Sequence, residues 1–355
     1  MDLIRAFERA DIPQVVDLFR WAFVRNGDRR DTATLHRYFE RVFFENPWYD
    51  EELPSFVHVD GNGSIDGFVG VQPKRLRWRG RRLRVGTPTK LMVAPTATPL
   101  VASRLVRRVF AGPQDLLFSD IGNDAGKRIW EALGGATVIL YSLQWQRPVR
   151  PARHALSWLQ ARGVPALVTR GLRPLSSVAD SLLARWRSRA PSDGYSTEDL
   201  PLDMLATRLP DLLARRALQP EYDTQWLDWL LGIAEQNEPG RVLRRRLVRN
   251  ARQEPAGWFL YSLEAGNGGG AEVLQLVARK DARAQVLDAL LDDAWNAGAT
   301  MVAGRLEPGL MREMSARHCY FREAGHWTLV HSKNPELLEA ILGGDAFFSR
   351  LEGEW

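Results

Sequence analysis

The sequence predicts a mixed α/β protein built from two similar units in tandem. The chain has 355 residues, 45% of them hydrophobic, which is too long for one ordinary domain and enough for two cores. Segments that alternate apolar and polar residues are interspersed with segments that repeat apolar residues at helical spacing. A β-α-β-α-β order closes both halves, which suggests an internal duplication that sequence identity no longer shows.

The composition excludes several classes of protein. Cys319 is the single cysteine, so neither an internal disulfide framework nor a cysteine-cluster metal site can form. The six histidines are scattered without a His-x-x-x-His or His-x-His pair, and we expect no catalytic metal. No apolar run approaches the roughly 18–20 residues that span a bilayer, and the first residues lack a signal-peptide pattern, so we expect a cytoplasmic protein.

The first half opens with a short strand and an amphipathic helix. Leu3–Phe7 is a strand candidate, and Val15, Leu18 and Phe19 follow at the spacing of one buried helical face. The other elements predicted for this half are a helix at Thr32–Phe44, a hairpin of Ser55–Val59 and Ser64–Val71, strand pieces on both sides of Gly80, a strand at Thr89–Val93, a helix at Pro99–Phe110, a strand at Asp115–Ser119, a helix after Asn123 and a strand at Ala136–Trp145.

The segment FSDIGNDAGKRIWEALGG, residues Phe118–Gly135, predicts the end of a strand, a polar turn and a well-delimited helix. Asn123 is placed as the N-cap. Ile129 and Leu133 lie four residues apart on one helical face. The two glycines that follow supply the positive φ at which a helix gives way to a strand.

Two basic segments alternate arginine with other residues. RLRWRGRRLRV begins at Arg75, and a second basic segment spans Arg241–Arg249. The arginines of the first segment form either the solvated face of an antiparallel strand pair or a ribbon that binds phosphate or nucleic acid. The net charge of +5 is a mild bias towards phosphate-bearing ligands and is far below a DNA-binding signature.

The sequence divides into four parts. Residues 1–150 form the first unit, 151–195 an Arg-, Ser- and Pro-rich connector with a helix at Leu175–Arg187, 196–334 the second unit, and 335–355 a C-terminal helix and tail. The elements predicted for the second unit are helices at Met204–Arg216 and Thr224–Ala234, strands at Arg241–Val248, Gly257–Ala265 and Glu272–Ala278, a helix at Ala282–Ala297, a strand at Thr300–Arg305, a helix at Gly309–Arg317 and a strand at Trp327–His331.

Two stretches of the first half resemble the GNAT superfamily of N-acetyltransferases. IRAFERADIPQVVDLFRWAF looks like the family's opening strand and helix, and IGNDAGKRIWEALGG looks like its segment Asn-x-x-Ala-x-x-Leu-Tyr-Glu-Lys-x-Gly-Phe. The aligned positions are Asn123, Gly126, Ile129, Trp130, Glu131, Leu133 and Gly134. The resemblance covers 1–147 well and 196–332 more weakly. It implies two GNAT-like domains in tandem, each a splayed mixed sheet flanked by helices, with a distant similarity to Fem-type transferases.

The resemblance implies a site for acetyl-CoA in the first half. In the family two central strands splay apart, and the thioester of acetyl-CoA lies in the gap. By resemblance, main-chain N–H groups of Leu91 or Val93 would polarise the thioester carbonyl. Asn123 would contact the cofactor or would only cap its helix, and that helix, which carries Trp130, would wall the site.

The loop that binds pyrophosphate in the family departs from its pattern here. The motif Arg/Gln-x-x-Gly-x-Gly/Ala falls on Thr98, Val101 and Ser103, and we expect the Cβ of Val101 to obstruct a phosphate. A helix start remains, with Thr98 as N-cap and Pro99 as the first helical residue. Arg104 and the next two arginines of this helix either pair with phosphate or form a solvated face.

The equivalent loop of the second half reads ARKDARAQVLDALL and has no glycine. Asp281 is expected at the helix cap, where its carboxylate would compete with a pyrophosphate for the same N–H groups. We therefore expect this half to bind no CoA. Its expected role is to complete the acceptor cleft or to bury a surface of the first half.

The family's usual general acid is missing from this sequence, whereas a carboxylate that can be considered as the base is present. Trp130 stands where a Tyr commonly protonates the leaving thiolate, and an indole N–H has no usable proton to give. Asp120 is the carboxylate expected nearest the gap, either as the base that deprotonates an amine or as a turn residue that bonds its own backbone. Tyr141 and Glu45 are weaker candidates for the base.

These expectations favour an N-acyltransferase that moves an acetyl group from CoA directly to an amine, such as an amino sugar or a precursor of envelope polysaccharide. Two alternatives stay open. The chain could be a scaffold or regulatory protein that kept the fold and lost the cofactor. It could also be a Fem-type transferase whose basic segments grip aminoacyl-tRNA. The sequence leaves the oligomeric state open.

Overall fold

Two mixed sheets with flanking helices form the framework of the molecule, which confirms the predicted mixed α/β class. The parts of the chain that the computed structural model describes are residues 3–23, 31–98, 100–165, 171–172, 174–176, 178–182, 194–213, 216–237, 240–264 and 269–355. Within these ranges, none of the helices combines the length and the apolar composition needed to cross a bilayer.

The first sheet has eight strands among the described residues. They are, in spatial order, β1 (Leu3–Ala6), β2 (Phe56–Val59), β3 (Ile65–Trp78), β4 (Arg81–Val93), β5 (Leu116–Gly122), β15 (Trp327–His331) and β6 (Ala136–Thr137), with β9 (Leu218–Pro220) paired to the far end of β3. Neighbouring strands are antiparallel except β4 and β5, which are parallel.

The second sheet has seven described strands. They are, in spatial order, β14 (Tyr320–Glu323), β7 (Leu143–Pro148), β13 (Met301–Arg305), β12 (Gly270–Ala278), β11 (Pro255–Glu264), β10 (Arg241–Arg249) and β8 (Ser196–Asp199). Here too one central pair, β12 and β13, is parallel and the others are antiparallel. The two sheets thus share a plan, which is what a duplicated unit would produce.

Amphipathic helices cover both sheets. In α1, Val15, Val16 and Phe19 are buried on one face, and Asp31 caps α2 by accepting from the N–H of Thr34 at 2.6 Å. The described helices are α1 (Ile12–Phe23), α2 (Thr32–Phe43), α3 (Leu100–Phe110), α4 (Asp124–Ala132), α5 (Ile139–Ser142), α6 (Pro151–Ala161), α7 (Leu202–Leu212), α8 (Thr224–Asn237), α9 (Arg283–Asn296), α10 (Met311–Ala316) and α11 (Pro335–Leu342).

The two halves exchange a strand. β7, from the first half of the chain, lies between β14 and β13 of the second sheet, and β15, from the second half, lies between β5 and β6 of the first sheet. The single strand predicted at Ala136–Trp145 is therefore wrong. The chain leaves the first sheet after Thr137, turns through α5 and enters the second sheet at Leu143, because its two ends pair with different sheets.

The connector contains a helix that the sequence did not predict. α6 begins at Pro151, and the buried carboxylate of Asp180 accepts from the N–H groups of Ala152 and Arg153 at its start. Of the helix predicted at Leu175–Arg187, residues 175–176 and 178–182 are helical, and the others lie outside the described residues.

A single hydrophobic cluster joins the two halves. It includes Phe39 and Phe68 from the first half and Trp226, Trp258 and Trp355 from the second, all at most 5% exposed. Apolar burial on this scale is the dominant favourable contribution to folding, so the halves should unfold together.

Candidate functional site

The two parallel central strands of the first sheet separate after two paired residues. The register of β4 and β5 joins Val85 to Leu116 and Gly86 to Leu117. In the part of the chain that the structure describes, no later residue of β4 pairs with β5. The gap that the GNAT resemblance implied is therefore present beside the second half of β4.

A β-bulge in β4 accompanies this separation. The register with β3 slips between Gly70, which faces Thr89, and Phe68, which faces Met92. Lys90, inside the slip, has a φ of +52°, in the left-handed region. A bulge adds a residue to one strand and bends that strand locally, so β4 can keep its pairing with β3 while it turns away from β5.

Apolar side chains flank the gap. Leu91 and Val93 of β4, Ile129 of α4, Leu133 at the C-cap of α4 and Trp327 of β15 are partly buried, and all five pack against one core cluster. We call these five side chains, which share one core cluster, the apolar wall. An aliphatic ligand arm placed there would remove more of this surface from water.

A carboxylate from the C-terminal segment, residues 345–355, reaches the gap from the side of the second half. Glu354 is 4% exposed. Its N–H donates to Oδ1 of Asp120 at 2.7 Å, and the hydroxyl of Ser119 donates to its side chain. Burial, together with the nearby charge of Asp120, raises the pKa of Glu354. The gap thus contains an acidic group that accepts protons more readily than an ordinary glutamate.

Asp120 lies at the centre of a buried ion network. Its carboxylate pairs with Arg305 and lies 3.5 Å from Nη1 of Arg350. Burial acts to raise the pKa of Asp120, but the two guanidinium groups outweigh it and lower the pKa to about 2. A carboxylate with so low a pKa is a poor proton acceptor near neutral pH. The turn interpretation is wrong, because Asp120 belongs to β5 and its Oδ1 accepts from Glu354.

A second buried cluster holds the same segment. Nζ of Lys74 donates to the carbonyl of Gly353 at 3.3 Å. Burial lowers the pKa of Lys74 to about 8 and raises the pKa of Glu352 to about 8. The carboxylate of Glu352 accepts from the hydroxyl of Tyr222 and from the N–H and hydroxyl of Ser349. The C-terminal segment is therefore fixed by polar groups from both halves.

Sequence reasoning did not identify these C-terminal acids or their cationic partners. The final residues, LEGEW, mix two glutamates with apolar residues and show no helical or strand periodicity that would indicate burial. A signal could have come from the aromatic pair at Phe347 and Phe348, since such side chains are usually buried. Arg305 and Lys74 lie far from that segment in sequence, so their pairing could not be read from spacing.

Asn123 caps α4, as predicted. Its Oδ1 accepts from the N–H of Gly126 at 2.8 Å, and the residue is exposed at the end of β5. The cap fixes the start of the helix that walls the gap. Contact between Asn123 and a cofactor stays a prediction.

The predicted phosphate loop leads into α3. The carbonyl of Thr98 accepts from the N–H of Val101 at 3.1 Å, and Pro99 lies outside the described residues. The hydroxyl of Ser103 donates to the carbonyl of Leu100 at 2.8 Å, so it is used within the helix. Nη1 of Arg104 lies 3.3 Å from Nε2 of His58 in β2, between β1 and β3 of the first sheet.

The side chain of Val101, which was expected to obstruct a phosphate, points into the core. Its side chain is 1% exposed and faces the sheet: a Cβ on Gly67 of β3 would lie 2.7 Å from Cγ1 of Val101. This orientation weakens the case for obstruction, and access of an anion to the helix start stays a prediction. Trp130 is also in the core, where its ring meets Phe110 edge-on at a centroid distance of 5.0 Å.

The two weaker candidates for the base lie away from the gap. Tyr141 is buried in a different core cluster, its hydroxyl donates to the carbonyl of Ala346 at 2.5 Å, and burial raises its pKa. Glu45 accepts from Arg37 at 2.7 Å at the end of α2. Tyr141 and Glu45 thus make these hydrogen bonds with residues outside the gap.

The second sheet opens in the same way. β12 and β13 pair from Gly270 with Met301 to Val273 with Gly304, and the described residues beyond do not pair. Asp281 is not the helix cap, because the N-cap of α9 is Ala282, which has no side-chain cap. The carboxylate of Asp281 instead accepts from Arg279 at 2.7 Å. The reason for expecting no anion in this half therefore does not hold.

The described residues contain no group of three or more His, Cys, Asp or Glu side chains that could hold a metal ion. The gap between β4 and β5 instead combines a strand edge that has lost its partner strand, an apolar wall and a buried carboxylate. These are the components for binding an extended ligand and removing a proton beside it.

No protein-family model and no curated protein matches the sequence. Solved structures do. A GCN5-related N-acetyltransferase from Anabaena variabilis matches with a TM-score of 0.60 at 12% identity, over 94% of this chain and 73% of that one. A GCN5-related N-acetyltransferase from Kribbella flavida matches with a TM-score of 0.56 at 14% identity, over 93% and 70%. N-myristoyltransferase of Saccharomyces cerevisiae, solved with myristoyl-CoA and inhibitors, matches with a TM-score of 0.50 at 13% identity, over 93% and 79%.

At these identities the likeness concerns the fold. The chain has the fold of GCN5-related N-acetyltransferases, which confirms the resemblance seen in its sequence. Similarity to Fem-type transferases is not shown.

Proposed function

We propose that this protein transfers an acyl group from CoA to an amine at the gap between β4 and β5. The observation that supports this most is the loss of pairing after Gly86 and Leu117, which leaves a strand edge open beside an apolar wall. The edge offers main-chain groups to an extended pantetheine arm, and the wall offers it an apolar surface.

The residues present fit such a ligand. Val101 points into the core, and the main-chain N–H groups at the start of α3 complement phosphate groups. Arg107 and Arg108 are exposed, but they lie in the last turn of α3, away from that start. When bound, acyl-CoA supplies an acyl group activated as a thioester.

The chain's own groups then have distinct roles. Main-chain N–H groups of Leu91 or Val93 polarise the thioester carbonyl in the gap. Glu354 accepts the proton that the attacking amine loses, since its raised pKa makes it a stronger base than an ordinary glutamate. Asp120 is a positioning residue that holds the N–H of Glu354. Trp130 provides no proton for the leaving thiolate.

In its finer form, the proposal is that the acyl group is acetyl and that the acceptor amine belongs to an amino sugar or to a precursor of envelope polysaccharide. The acceptor would approach from the side of the second half, where the C-terminal segment borders the gap. The side chains of that segment nearest the gap, Glu354 and Arg350, are charged, which favours a polar acceptor.

A scaffold without catalysis is the second candidate. It is favoured by one observation: the hydroxyl of Ser119 donates to the carboxylate of Glu354 at the gap, so the proposed base already has a partner within the chain. A transferase that uses aminoacyl-tRNA has less support. Arginines of both basic segments are paired with carboxylates, among them Arg77 and Arg82 with Glu221, and Arg244 and Arg246 with Asp293. Part of their charge is therefore already compensated within the chain.

Release of free CoA thiol from acetyl-CoA tests the proposal. The assay uses the full chain at neutral pH with glucosamine, a lysine-containing peptide or no amine. We expect amine-dependent release, and a parallel series with myristoyl-CoA sets the preferred chain length. CoA binding without release for any amine would favour the scaffold, and no CoA binding at millimolar concentration would contradict the site itself.

A further inference from the structure

The connector, residues 151–195, exposes the apolar side chains of a helical segment. Its residues 171–172, 174–176 and 178–182 are helical. Residues three and four positions apart share one face of a helix, and four apolar side chains at this spacing are exposed by 41–67%. They are Leu172, Leu175, Val178 and Leu182.

The buried side chains of this segment are polar, which inverts the usual arrangement of a surface helix. Ser176 is 7% exposed and Asp180 is 2% exposed. The carboxylate of Asp180 accepts from the N–H groups of Ala152 and Arg153 at the start of α6. The segment is therefore attached to the molecule through its polar face, and its apolar face lies on the other side.

The helix α6 of the same connector adds an exposed aromatic residue. Trp158 and Leu159 are 48% and 37% exposed. The guanidinium of Arg162 lies over the ring of Trp158, 3.7 Å from its centroid. Tryptophan and leucine on one part of a helix with arginine beside them are typical of helices that lie in the interface of a membrane.

The positive charge of the whole chain is concentrated in this connector. Residues 151–195 contain seven arginines and no lysine, against two aspartates and no glutamate. Their balance of +5 equals the net charge of the chain, so the rest of the chain carries equal numbers of basic and acidic residues. One of the two aspartates is the buried Asp180. The connector is thus both the most basic part of the chain and a part with a large exposed apolar face.

We propose that the connector binds the surface of an anionic lipid bilayer. The apolar face would enter the boundary between headgroups and acyl chains, and the positive charge of the connector would be attracted to the lipid phosphates. A second copy of the chain would bring the same positive charge to the contact, and like charges oppose such pairing. Nucleic acid would use the arginines but has no use for exposed aliphatic side chains, since bases stack on aromatic rings.

Cosedimentation of the full chain with lipid vesicles tests this. One vesicle preparation is phosphatidylcholine alone, and the other contains equal parts of phosphatidylcholine and phosphatidylglycerol. We expect binding to the anionic vesicles that is at least roughly tenfold tighter than to the neutral ones and that weakens as salt is raised, because salt screens the attraction.

The double variant Leu175→Glu/Val178→Glu should bind the anionic vesicles at least roughly tenfold more weakly, because charges on the inserted face would have to leave water. Val242→Glu/Leu342→Glu is the matched control. It adds the same two charges at exposed positions on β10 and α11, away from the connector, and should bind as the wild type does. Trp158→Ala on α6 repeats the test should the first double variant fold poorly.

Three results would overturn the proposal: no binding to the anionic vesicles, equal binding to both kinds of vesicle, or equal weakening by the two double variants. A dimer in lipid-free solution that Leu175→Glu/Val178→Glu dissociates would also overturn it, because the apolar face would then belong to a contact between two copies. The residues proposed for acyl transfer lie outside the connector, so the result is independent of whether the protein transfers an acyl group.

Discussion

The main-chain N–H of Glu354 donates a 2.7 Å hydrogen bond to Oδ1 of Asp120, 234 residues earlier in the chain. This bond fixes the C-terminal segment to β5 at the point where β5 has separated from β4. It places a carboxylate with a raised pKa next to a carboxylate with a lowered one. Two acids with opposite shifts are what a site needs when one takes up a proton and the other stays ionised.

Glu354→Gln should abolish most transfer while it keeps the shape of the side chain. Loss of a positioned base typically costs about 10²–10⁴-fold in rate, so we expect kcat to fall at least about 100-fold. The wild-type rate should also fall as pH drops through the raised pKa of Glu354, and the variant should lose that dependence. Glu336→Gln, at an exposed position on α11, is the control. An unchanged kcat and pH profile in Glu354→Gln would show that another group is the base.

Asp120→Asn should destabilise the fold. Arg305, only 7% exposed at its side chain, would lose its anionic partner. Removal of one member of a buried ion pair costs about 3–5 kcal/mol, which urea denaturation would measure. Asp228→Asn, at an exposed position on α8 without a partner among the described residues, should change stability by less than about 0.5 kcal/mol. Equal stability of the two variants would mean that the network contributes nothing.

Gly353→Ala should displace the C-terminal segment. A Cβ at Gly353 would overlap Oδ2 of Asp120, which no rotation of a methyl group relieves. Overpacking of this kind costs about 1–3 kcal/mol. Gly171→Ala, where nothing lies within 4 Å, is the matched substitution. A Gly353→Ala protein as stable as Gly171→Ala would contradict the close approach of the segment to β5.

Glu352 should make the protein less stable as pH rises. Burial raises the pKa of Glu352 to about 8 in the folded chain, above its value of about 4.3 in the unfolded chain. Between these values the folded state binds more protons than the unfolded state, so its contribution to stability declines with increasing pH. Glu352→Gln removes this titration.

The difference in unfolding free energy between Glu352→Gln and wild type should therefore shift in favour of the variant from pH 5 to pH 8. Urea denaturation across that range measures it, with Glu339→Gln, at an exposed position on α11, as the control. A difference that stays constant with pH would refute the raised pKa.

Local elements followed from local sequence. The apolar spacing of Val15 and Phe19 predicted α1, and the Asn123 N-cap predicted the start of α4; both are present. Periodicity reports which face of an element is buried, and a cap reports where a helix begins, so neither needs distant residues. The fold class could be predicted because these elements come in a recognisable order.

Partners distant in sequence could not be predicted in this way. Trp327–His331 was predicted as a strand, yet only the structure shows it in the first sheet, because any strand of suitable apolarity could fill that place. The hydrogen bond and ion pair of Asp120 join it to the C-terminal segment, which is distant in sequence. Residue spacing does not show such pairings. Val101 shows the same limit: its identity suggested obstruction of a phosphate, but the sequence did not show that its side chain packs against Gly67 in the core.

The central claim is that the gap between β4 and β5 binds acyl-CoA. Titration of CoA into Val93→Trp tests it most directly, since an indole at Val93 would fill the gap beside the apolar wall. Val242→Trp, at a 54% exposed position on β10, adds the same side chain away from the gap. We predict that wild type and Val242→Trp bind CoA alike and that Val93→Trp binds at least roughly tenfold more weakly. Equal binding by all three proteins, or no binding by any, would contradict the account.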